Sequence, residues 1–291
     1  MRKIPSGVYG LNRCLDGGIN EHSTTVVIGS SGAGKTTFAT QYVRRGLELG
    51  QEGIFVSLDE NKEQIIKEAV EMGWKEIVRY IEQEQLVFID ASGRDFSEFI
   101  KKELPSFVSE WKGANARIAI DPLTPVLWAA PDRYEQRDLI GFLLKETRSV
   151  GTVLATLEEH GAGGDLSGPE TIIPMYLADC VIHLRYRALD AGAERMLKIV
   201  KCRNSRHSEL SHPYIIIQGL GIVLQHSAYE APATTQGQRD ILRALRSNAS
   251  RIPGPALERL ERLISLVKDG DLRGIEASDI AQSLISEYEV G

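Results

Sequence analysis

Short apolar runs rich in β-branched residues alternate with longer stretches in which apolar residues recur every three or four positions. The first pattern predicts buried strands and the second predicts amphipathic helices. The predicted strands cover 24–28, 53–58, 86–89, 116–121, 152–157, 180–186, 196–203, 213–217 and 222–224. The predicted helices between them cover 36–49, 62–72, 95–111 with a break near Pro105, and 134–150. This alternation predicts an α/β fold with a mostly parallel sheet covered by helices on both faces.

The pattern changes near residue 230. Residues 231–237 are mostly small or polar, which is typical of a linker, and helical stretches follow at 239–246, 256–268 and 277–288. The middle stretch carries an apolar stripe, which is more often used for packing than for a specialised partner site. We therefore predict one large domain over residues 1–230 and a small C-terminal helical extension over 231–291.

Composition bounds the class of protein. The 291 residues are 42% hydrophobic and 25% charged, as in soluble globular proteins, and no apolar run approaches a membrane span. The net charge of −6 argues against strong non-specific nucleic-acid binding. The start of the chain lacks the apolar core of a signal peptide, and its three cysteines are scattered. We therefore expect a cytoplasmic protein without disulfides or a zinc motif.

Residues 29–36 form a complete G-x-x-x-x-G-K-[ST] motif between a predicted strand and a predicted helix. Glycines in such a loop let backbone N–H groups face the phosphates, and the start of the helix adds its positive end. Lys35 is expected to contact the β- and γ-phosphates, and the Thr36 hydroxyl to hold Mg²⁺. The predicted nucleotide-binding residues are Ser31, Gly32, Ala33, Gly34, Lys35, Thr36 and Thr37.

Carboxylates follow two later strands. Asp59 and Glu60 end the strand at 53–58, and Asp121 ends the strand at 116–121, which is the Walker B pattern. Ligands of open α/β sheets bind at the carboxyl ends of the strands, so the acidic pair is expected near the γ-phosphate. Asp121 is expected to bind Mg²⁺ opposite Thr36, directly or through water. Thr156 lies where a γ-phosphate sensor often sits, although an ordinary strand threonine explains it nearly as well.

Two cations end the strand predicted at 196–203. Because successive side chains of a strand point to opposite faces, Leu197, Ile199, Lys201 and Arg203 are expected to share one face. Two neighbouring cations suit an anion. A charged edge that prevents strand pairing explains the same pattern, and on these residues alone it is the preferred interpretation.

The order of these motifs resembles that of KaiC-like, RadA-type ATPases of the RecA superfamily. The resemblance covers roughly residues 4–226 and one ATPase domain. It implies a RecA-like P-loop NTPase core that binds ATP and Mg²⁺ between subunits, usually in a homohexameric ring. The stretches that carry it are Gly17-Gly18-Ile19, the loop at 29–36, residues 55–60, the helix at 65–74, Asp121, and Lys201-Cys202-Arg203.

The resemblance also implies roles for individual residues. The family's acidic pair positions the attacking water and corresponds to Asp59 and Glu60. An Asp-Glu pair stands here in place of the usual Glu-Glu. The resemblance implies that the first member is the general base, and Asp59 is one methylene shorter than the usual glutamate. Rapid hydrolysis is therefore not expected, and the role of base stays open between Asp59 and Glu60. Lys201 and Arg203 correspond to a Lys-x-Arg motif that reaches the γ-phosphate of the neighbouring subunit, which reverses the preference for a solvated edge. The further nucleotide contacts implied around this motif are Cys202, Ser205 and His207.

These features favour a Mg²⁺-dependent ATPase whose site is completed in trans. One alternative is a regulatory or assembly module with slow hydrolysis, similar to an archaellum regulator, that binds a protein partner through its C-terminal helices. Another is a RadA-like recombinase paralogue. Nucleic acid is not expected, because the predicted mobile loop at 161–174 contains no Lys, Arg or aromatic residue. Autokinase activity is not expected either, because Met175 and Tyr176 stand where KaiC carries a Ser-Thr pair.

Overall fold

The computed structural model describes residues 2–160, 166–189, 192–225, 238–267 and 277–288. Its strands are β1 (Lys3–Ile4), β2 (Ile19–Asn20), β3 (Thr24–Gly29), β4 (Gly53–Ser57), β5 (Leu86–Asp90), β6 (Ala116–Asp121), β7 (Gly151–Glu158), β8 (Cys180–Leu189), β9 (Gly192–Cys202), β10 (Ser211–Ile217) and β11 (Gly221–Leu224). Its α-helices are α1 (Leu11–Cys14), α2 (Lys35–Glu48), α3 (Lys62–Glu71), α4 (Glu76–Glu82), α5 (Gly93–Lys102), α6 (Leu104–Trp111), α7 (Thr124–Ala129), α8 (Arg133–Thr147), α9 (Pro169–Leu177), α10 (Gln238–Ser247), α11 (Gly254–Leu266) and α12 (Ala277–Ser286). Each element predicted from the hydrophobic pattern has a counterpart.

The strands β3 to β11 form one sheet in the order β11-β10-β9-β8-β3-β7-β6-β4-β5. The six strands from β8 to β5 are parallel, whereas β9, β10 and β11 pair antiparallel at one edge. The predicted α/β fold with a mostly parallel sheet is confirmed. Because the carboxyl ends of parallel strands share one edge, the residues that follow β3, β4, β6 and β7 come together there.

Helices cover both faces of the sheet. One face packs against α1 to α4, where Phe38 and Tyr42 are fully buried. The other packs against α5 to α9, where Ile100 and Leu143 are fully buried. Burial on both faces explains why the parallel strands are continuous apolar runs rather than alternating ones.

The helices α10 to α12 cover the antiparallel edge of the sheet. They share an apolar cluster with β10, β11 and the turn between them, in which Leu260 and Leu284 of the helices are fully buried. The apolar stripe predicted at 256–268, now on α11, therefore packs against the sheet as expected. The predicted linker at 231–237 lies outside the described residues.

The strand β9 corrects one expectation. Between the paired residues Ile199 and Lys201, Val200 is an extra residue with no partner on β8, which makes a β-bulge. Leu197 and Ile199 are buried on the face that packs against α2. Lys201 points to the other face, where its Nζ donates to the Met175 carbonyl at 2.5 Å. The expected common face for these three side chains is wrong, because one inserted residue reverses the alternation.

The predicted glycine-rich loop at 161–174 is partly helical. Residues 161–165 lie outside the described residues, and α9 begins at Pro169. Proline fits the first turn of a helix because it needs no N–H partner there. No helix in the described part of the chain is both long and apolar enough to cross a membrane.

Candidate active site

The phosphate-binding loop joins the end of β3 to the start of α2. Gly32 and Gly34 have φ angles of 78° and 90°, in the left-handed region that favours glycine. A Cβ on Gly34 would also lie 2.7 Å from the Ile216 side chain. Lys35 opens α2, and its Nζ donates to the Ser30 carbonyl at 3.2 Å. The loop therefore combines a glycine-dependent turn, a helix start and an ammonium group at one place, as an anion site requires.

Asp121, at the end of β6, is only 5% exposed. Its carboxylate accepts hydrogen bonds from the hydroxyls of Thr156 and Thr36. Burial raises the pKa of Asp121, and these two hydrogen bonds and the charge of Lys35 oppose that rise. Both hydroxyl partners are neutral, and among the described residues no cationic side chain forms an ion pair with Asp121. Carboxylate and hydroxyl oxygens in this arrangement suit a hard divalent cation.

These groups open on a cleft of about 420 Å³ at the carboxyl edge of the sheet. Asp59 and Glu60, which follow β4, lie on its wall. Burial raises the pKa of Glu60, and the charges of Glu68, Asp121 and Asp59 add to the effect. The predicted residues that line the cleft are Ser31, Gly32, Gly34, Lys35, Thr36, Thr37, Asp59, Glu60 and Asp121. Three separate sequence motifs therefore meet in one place.

Two further carboxylates line the same cleft and are not predicted from the sequence. They are Glu68 on α3 and Glu158 at the end of β7. Glu158 carries the same signal as Asp59, since it ends a predicted strand, whereas Glu68 has no comparable signal. Burial lowers the pKa of Lys35, and Glu158 is foremost among the carboxylates whose charge opposes this.

An apolar cavity of about 370 Å³ adjoins the cleft. The two share Thr36, Thr37 and Glu68. The apolar side chains of the cavity wall are Ile65, Ala69, Met72, Trp74 and Ile216. A ligand with a charged end and an apolar end can therefore occupy both spaces at once.

Lys201 and Arg203 lie at the opposite, amino end of the parallel strands. Through the pairing of β9 with β8 and of β8 with β3, Cys202 lies level with Thr25. The phosphate-binding loop instead begins at Gly29, four residues farther along β3, which is about 13 Å away. The structure therefore does not bring the two cations to the loop of their own chain.

The two cations lie side by side at the C-terminal end of α9. Arg203 Nη2 donates to the Tyr176 carbonyl at 2.9 Å, and Lys201 Nζ lies 3.4 Å from the same oxygen. Carbonyl groups at a helix C-terminus carry partial negative charge, which stabilises neighbouring cations. Burial lowers the pKa of Lys201, and the charge of Arg203 adds to this.

The three nucleotide contacts implied around these cations are not brought to the cleft of the same chain. Cys202 is 8% exposed and lies directly opposite Cys180, and a hydrogen bond between the thiols lowers the pKa of Cys202. The Ser205 hydroxyl accepts a hydrogen bond from Lys3. His207 is half-buried in the same segment. The Cys202 side chain is thus part of the core, which its position in a charged motif does not indicate.

Comparisons with known proteins place these motifs in one family. The family described as "ATPase: KaiC" matches residues 4–229. The circadian clock protein KaiC2 of a Synechocystis strain is 28% identical over 255 residues, which is 80% of this chain and 43% of that protein. A UPF0273 protein of Methanopyrus kandleri is 28% identical over 236 residues, which is 74% of this chain and 89% of that protein.

A solved structure agrees with the fold. It is the crystal structure of a KaiC-like protein from Pyrococcus horikoshii, which matches with a TM-score of 0.63 and 28% identity. The match covers 77% of this chain and 98% of that one. The chain spans less than half of the length of the clock protein but most of the two shorter relatives. The family match ends before the helices α10 to α12.

Proposed function

Because the chain belongs to the KaiC family of ATPases, we propose that it binds Mg·ATP in the cleft and hydrolyses it to ADP and phosphate. The observation that carries the proposal is the meeting of the phosphate-binding loop with a buried carboxylate, Asp121, which is hydrogen-bonded to Thr36. Lys35 and the N–H groups of the loop bind the β- and γ-phosphates. The adjoining apolar cavity receives the adenine, because Thr36 and Thr37 belong to both spaces.

Thr36 and Asp121 are the residues that would hold Mg²⁺. The fit rests on their oxygen donors and on the neutral hydroxyls that are the hydrogen-bond partners of Asp121 among the residues that the structure describes. The described residues contain no cluster of three His, Cys, Asp or Glu side chains suited to a metal. Mg²⁺ usually keeps several waters and binds through one or two protein groups plus phosphate oxygens, so Thr36 and Asp121 would be sufficient protein ligands. When bound, the ion neutralises charge on the β- and γ-phosphate oxygens.

Asp59 and Glu60 orient the water that attacks the γ-phosphate. Both lie on the wall of the cleft, at the carboxyl edge where the phosphates are bound. Asp59 is one methylene shorter than the glutamate usual in the family, so its carboxylate reaches less far. Slow hydrolysis follows from this shorter reach.

Lys201 and Arg203 complete the site of a neighbouring subunit in a ring, for which we propose six copies. Their position at the amino end of the strands, about 13 Å along β3 from the loop, supports this because they do not reach the loop of their own chain. Ser205 and His207 lie beside them and approach the same neighbouring nucleotide, whereas Cys202, whose side chain is in the core, approaches it only with its backbone. A cation supplied in trans stabilises the charge that develops on the γ-phosphoryl group.

A mixing experiment tests hydrolysis and assembly together. Lys35→Ala removes a phosphate contact and is expected to lower ATP turnover by about 10²-fold. Arg203→Ala removes the cation in trans and is expected to lower it by about 10³-fold. A mixture of the two variants is expected to regain activity, because a site with the loop of one and the cations of the other is intact.

Two outcomes would contradict these proposals. A wild-type protein no faster than Lys35→Ala would exclude hydrolysis at this site. A mixture no more active than the two variants measured separately would exclude completion of the site in trans. The mass of the assembly with and without ATP measures the number of subunits.

One observation favours the second function, a nucleotide-dependent assembly module. The Gly219 turn links the cavity to the C-terminal helices, since Gly219 N donates to the Met72 carbonyl at 2.6 Å. Trp74 Nε1 donates to the Gly219 carbonyl at 2.9 Å. A Cβ on Gly219 would lie 3.2 Å from the Leu263 carbonyl of α11.

In this proposal an ATPase domain ending near residue 230 moves its helical extension against a protein partner. Hydrogen exchange in α11 would then differ between ATP and ADP, and equal exchange would exclude the mechanism.

We further propose a cytoplasmic location, because Cys14, Cys180 and Cys202 are buried free thiols. DNA binding of the RadA type has no support in the described residues at the site. Filter binding at two salt concentrations tests it, since phosphate contacts weaken with salt.

A further inference from the structure

Cys180 and Cys202 lie directly opposite each other, where β8 begins and β9 ends. One residue beyond this pair, the Arg203 N–H donates to the Asp179 carbonyl at 2.8 Å. In an antiparallel ladder, hydrogen bonds of this kind flank a non-hydrogen-bonded pair, so the two cysteines form such a pair. Their Cα atoms are therefore about 4.5 Å apart, which is within the range of disulfides. A covalent bond between the two sulfur atoms needs little movement of the backbone.

The two thiols differ in reactivity. The hydrogen bond between them places the sulfur atoms within reach of each other. This bond lowers the pKa of Cys202, and the charge of Lys3 adds to the effect, whereas the same bond and burial raise the pKa of Cys180. Because the thiolate is the nucleophilic form, Cys202 is the thiol that reacts first. Cys180 then lies where a resolving cysteine is required.

Both thiols are buried, but they lie at an open end of the ladder. Cys202 is the last residue of β9, and the next two residues, Arg203 and Asn204, are exposed. Cys202 is also slightly less buried than Cys180. Since little of the sulfur is in contact with solvent, the position favours a small oxidant such as hydrogen peroxide over a bulky disulfide compound.

The two cations of the proposed function flank Cys202 in the chain. In this structure Lys201 and Arg203 donate to backbone carbonyls at the C-terminal end of α9. The bulge at Val200 interrupts the ladder on one side of the cysteine pair, and β9 ends on the other side. Few backbone hydrogen bonds therefore restrain this part of β9. A disulfide would fix the backbone between the two cations to β8 and hold the cations beside α9 of their own chain.

We propose that Cys180 and Cys202 are a site of reversible oxidation, at which hydrogen peroxide forms a disulfide that restrains the two flanking cations and lowers ATP turnover. The effect on turnover rests on the proposed function above, whereas formation of the disulfide does not. A disulfide that forms transiently also agrees with the proposed cytoplasmic location, because cytosolic disulfides are usually transient and serve catalysis or redox sensing.

The oxidation takes place in two steps. The Cys202 thiolate attacks one oxygen of the peroxide, the O–O bond breaks, and the departing hydroxide takes up a proton to become water, which leaves a sulfenic acid on Cys202. The Cys180 sulfur then attacks the Cys202 sulfur, the S–O bond breaks, and the departing hydroxide leaves as a second water with the Cys180 proton. The two thiols are oxidised together by one molecule of peroxide. Added dithiothreitol reverses the bond by thiol–disulfide exchange.

The test follows the disulfide and the turnover separately in the full chain. After peroxide treatment, mass spectrometry of digested wild type is expected to find the Cys180 and Cys202 peptides linked, with the loss of two hydrogen atoms. Turnover is expected to fall by about tenfold or more and to recover with dithiothreitol, since a cation supplied in trans contributes about 10³-fold or more.

Two serine variants locate the effect. Cys180→Ser is expected to keep its turnover when reduced and to form no linked peptides with peroxide, stopping at one added oxygen atom on Cys202. Its turnover after peroxide is expected to fall less than that of wild type. Cys14→Ser is the matched control, because burial raises the pKa of Cys14 to about 11, and it is expected to form the disulfide as wild type does.

The outcomes separate this inference from the proposed function. If peroxide oxidises wild type without linking the Cys180 and Cys202 peptides, the inference is wrong and the proposed function stands. A disulfide that forms while turnover stays unchanged would overturn its regulatory part, as would an equal loss of turnover in Cys180→Ser. If reduced wild type is no faster than Lys35→Ala, the proposed function fails, and the linked peptides alone decide whether the pair is an oxidation site.

Discussion

Two buried carboxylates lie at opposite ends of the central sheet. Asp121 is 5% exposed at the carboxyl end, and Glu287, which follows α12, is 1% exposed beside the C-terminal end of α2. Burial raises the pKa of both groups, that of Glu287 to about 7. At both ends of the sheet, burial therefore disfavours the charged form of the carboxylate.

The partners of the two carboxylates differ. Glu287 forms an ion pair with Arg45 at 3.3 Å and accepts hydrogen bonds from the Gly7 N–H at 2.9 Å and from Asn12 at 2.6 Å. In the described part of the chain, the hydrogen-bond partners of Asp121 are the neutral hydroxyls of Thr156 and Thr36, and Lys35 acts on it only through its charge. The ion pair of Glu287 is expected to hold the fold together, whereas the proposed function assigns a bound cation to Asp121. Each of the following predictions changes one side of this contrast.

Asp121→Asn is expected to have the largest effect on activity. It removes the negative charge of the proposed Mg²⁺ ligand, and the charge stabilisation that a bound metal supplies is worth several kcal/mol, so turnover should fall by about 10³-fold. Thermal stability without nucleotide should be unchanged or higher, because a buried charge without a cation is removed. Paired ATPase and melting measurements check this, with the exposed Asp138→Asn as the control. A large loss of stability would show that Asp121 is structural, like Glu287.

Glu287→Ala is expected to show the reverse pattern. It leaves Arg45 and Asn12 buried without their partner, so the free energy of unfolding should fall by about 3 kcal/mol. ATP affinity should not change, because the cleft lies at the other end of the sheet. Denaturant unfolding and ATP titration measure the two quantities, and Glu258→Ala on the surface of α11 is the control. Equal stability of the two variants would contradict the structural role.

The sequence predicts one of these two carboxylates and not the other. Asp121 ends an apolar strand after a phosphate-binding motif, and that local pattern has a known geometry. Glu287 contacts Gly7 and Asn12, some 280 positions earlier, and no local pattern indicates so distant a pairing. Local sequence patterns thus predict the parallel sheet and the edge at which its ligands bind. Ion pairs between distant residues cannot be predicted in this way, because they depend on how the C-terminal helices pack.

The bulge at Val200 shows a second limit. Strict alternation places Leu197 and Lys201 on one face, and a single unpaired residue reverses that assignment. Glu158 directly follows a predicted strand, as Asp59 does, so its place at the cleft could have been predicted from the sequence, but no motif includes it. The strand order, with β7 directly beside β3, is what brings Glu158 to the cleft.

The pH dependence of stability is expected to follow Glu287. Its pKa is about 7 in the folded protein and 4.5 in the unfolded chain, so the folded state binds the proton more tightly. Its contribution to stability is therefore complete below pH 4.5 and is lost as the pH rises through 7, with a size of about 3 kcal/mol. Unfolding titrations between pH 5 and 8 measure this loss. Glu287→Gln should abolish that part of the slope, and an unchanged slope in the variant would assign it to another group.

Trp74→Phe is expected to have the smallest effect, and it tests whether the two ends communicate. The indole N–H donates to the Gly219 carbonyl at 2.9 Å in the buried turn between the cavity and α11, and Phe leaves that carbonyl without its partner. The free energy of unfolding should fall by about 1 kcal/mol. Trp128→Phe changes a tryptophan that is 57% exposed and should have no effect on stability.

If the turn transmits the nucleotide state, Trp74→Phe should also reduce the difference in α11 hydrogen exchange between ATP and ADP. A variant that loses stability but keeps the full difference would show that the turn only packs the extension against the sheet.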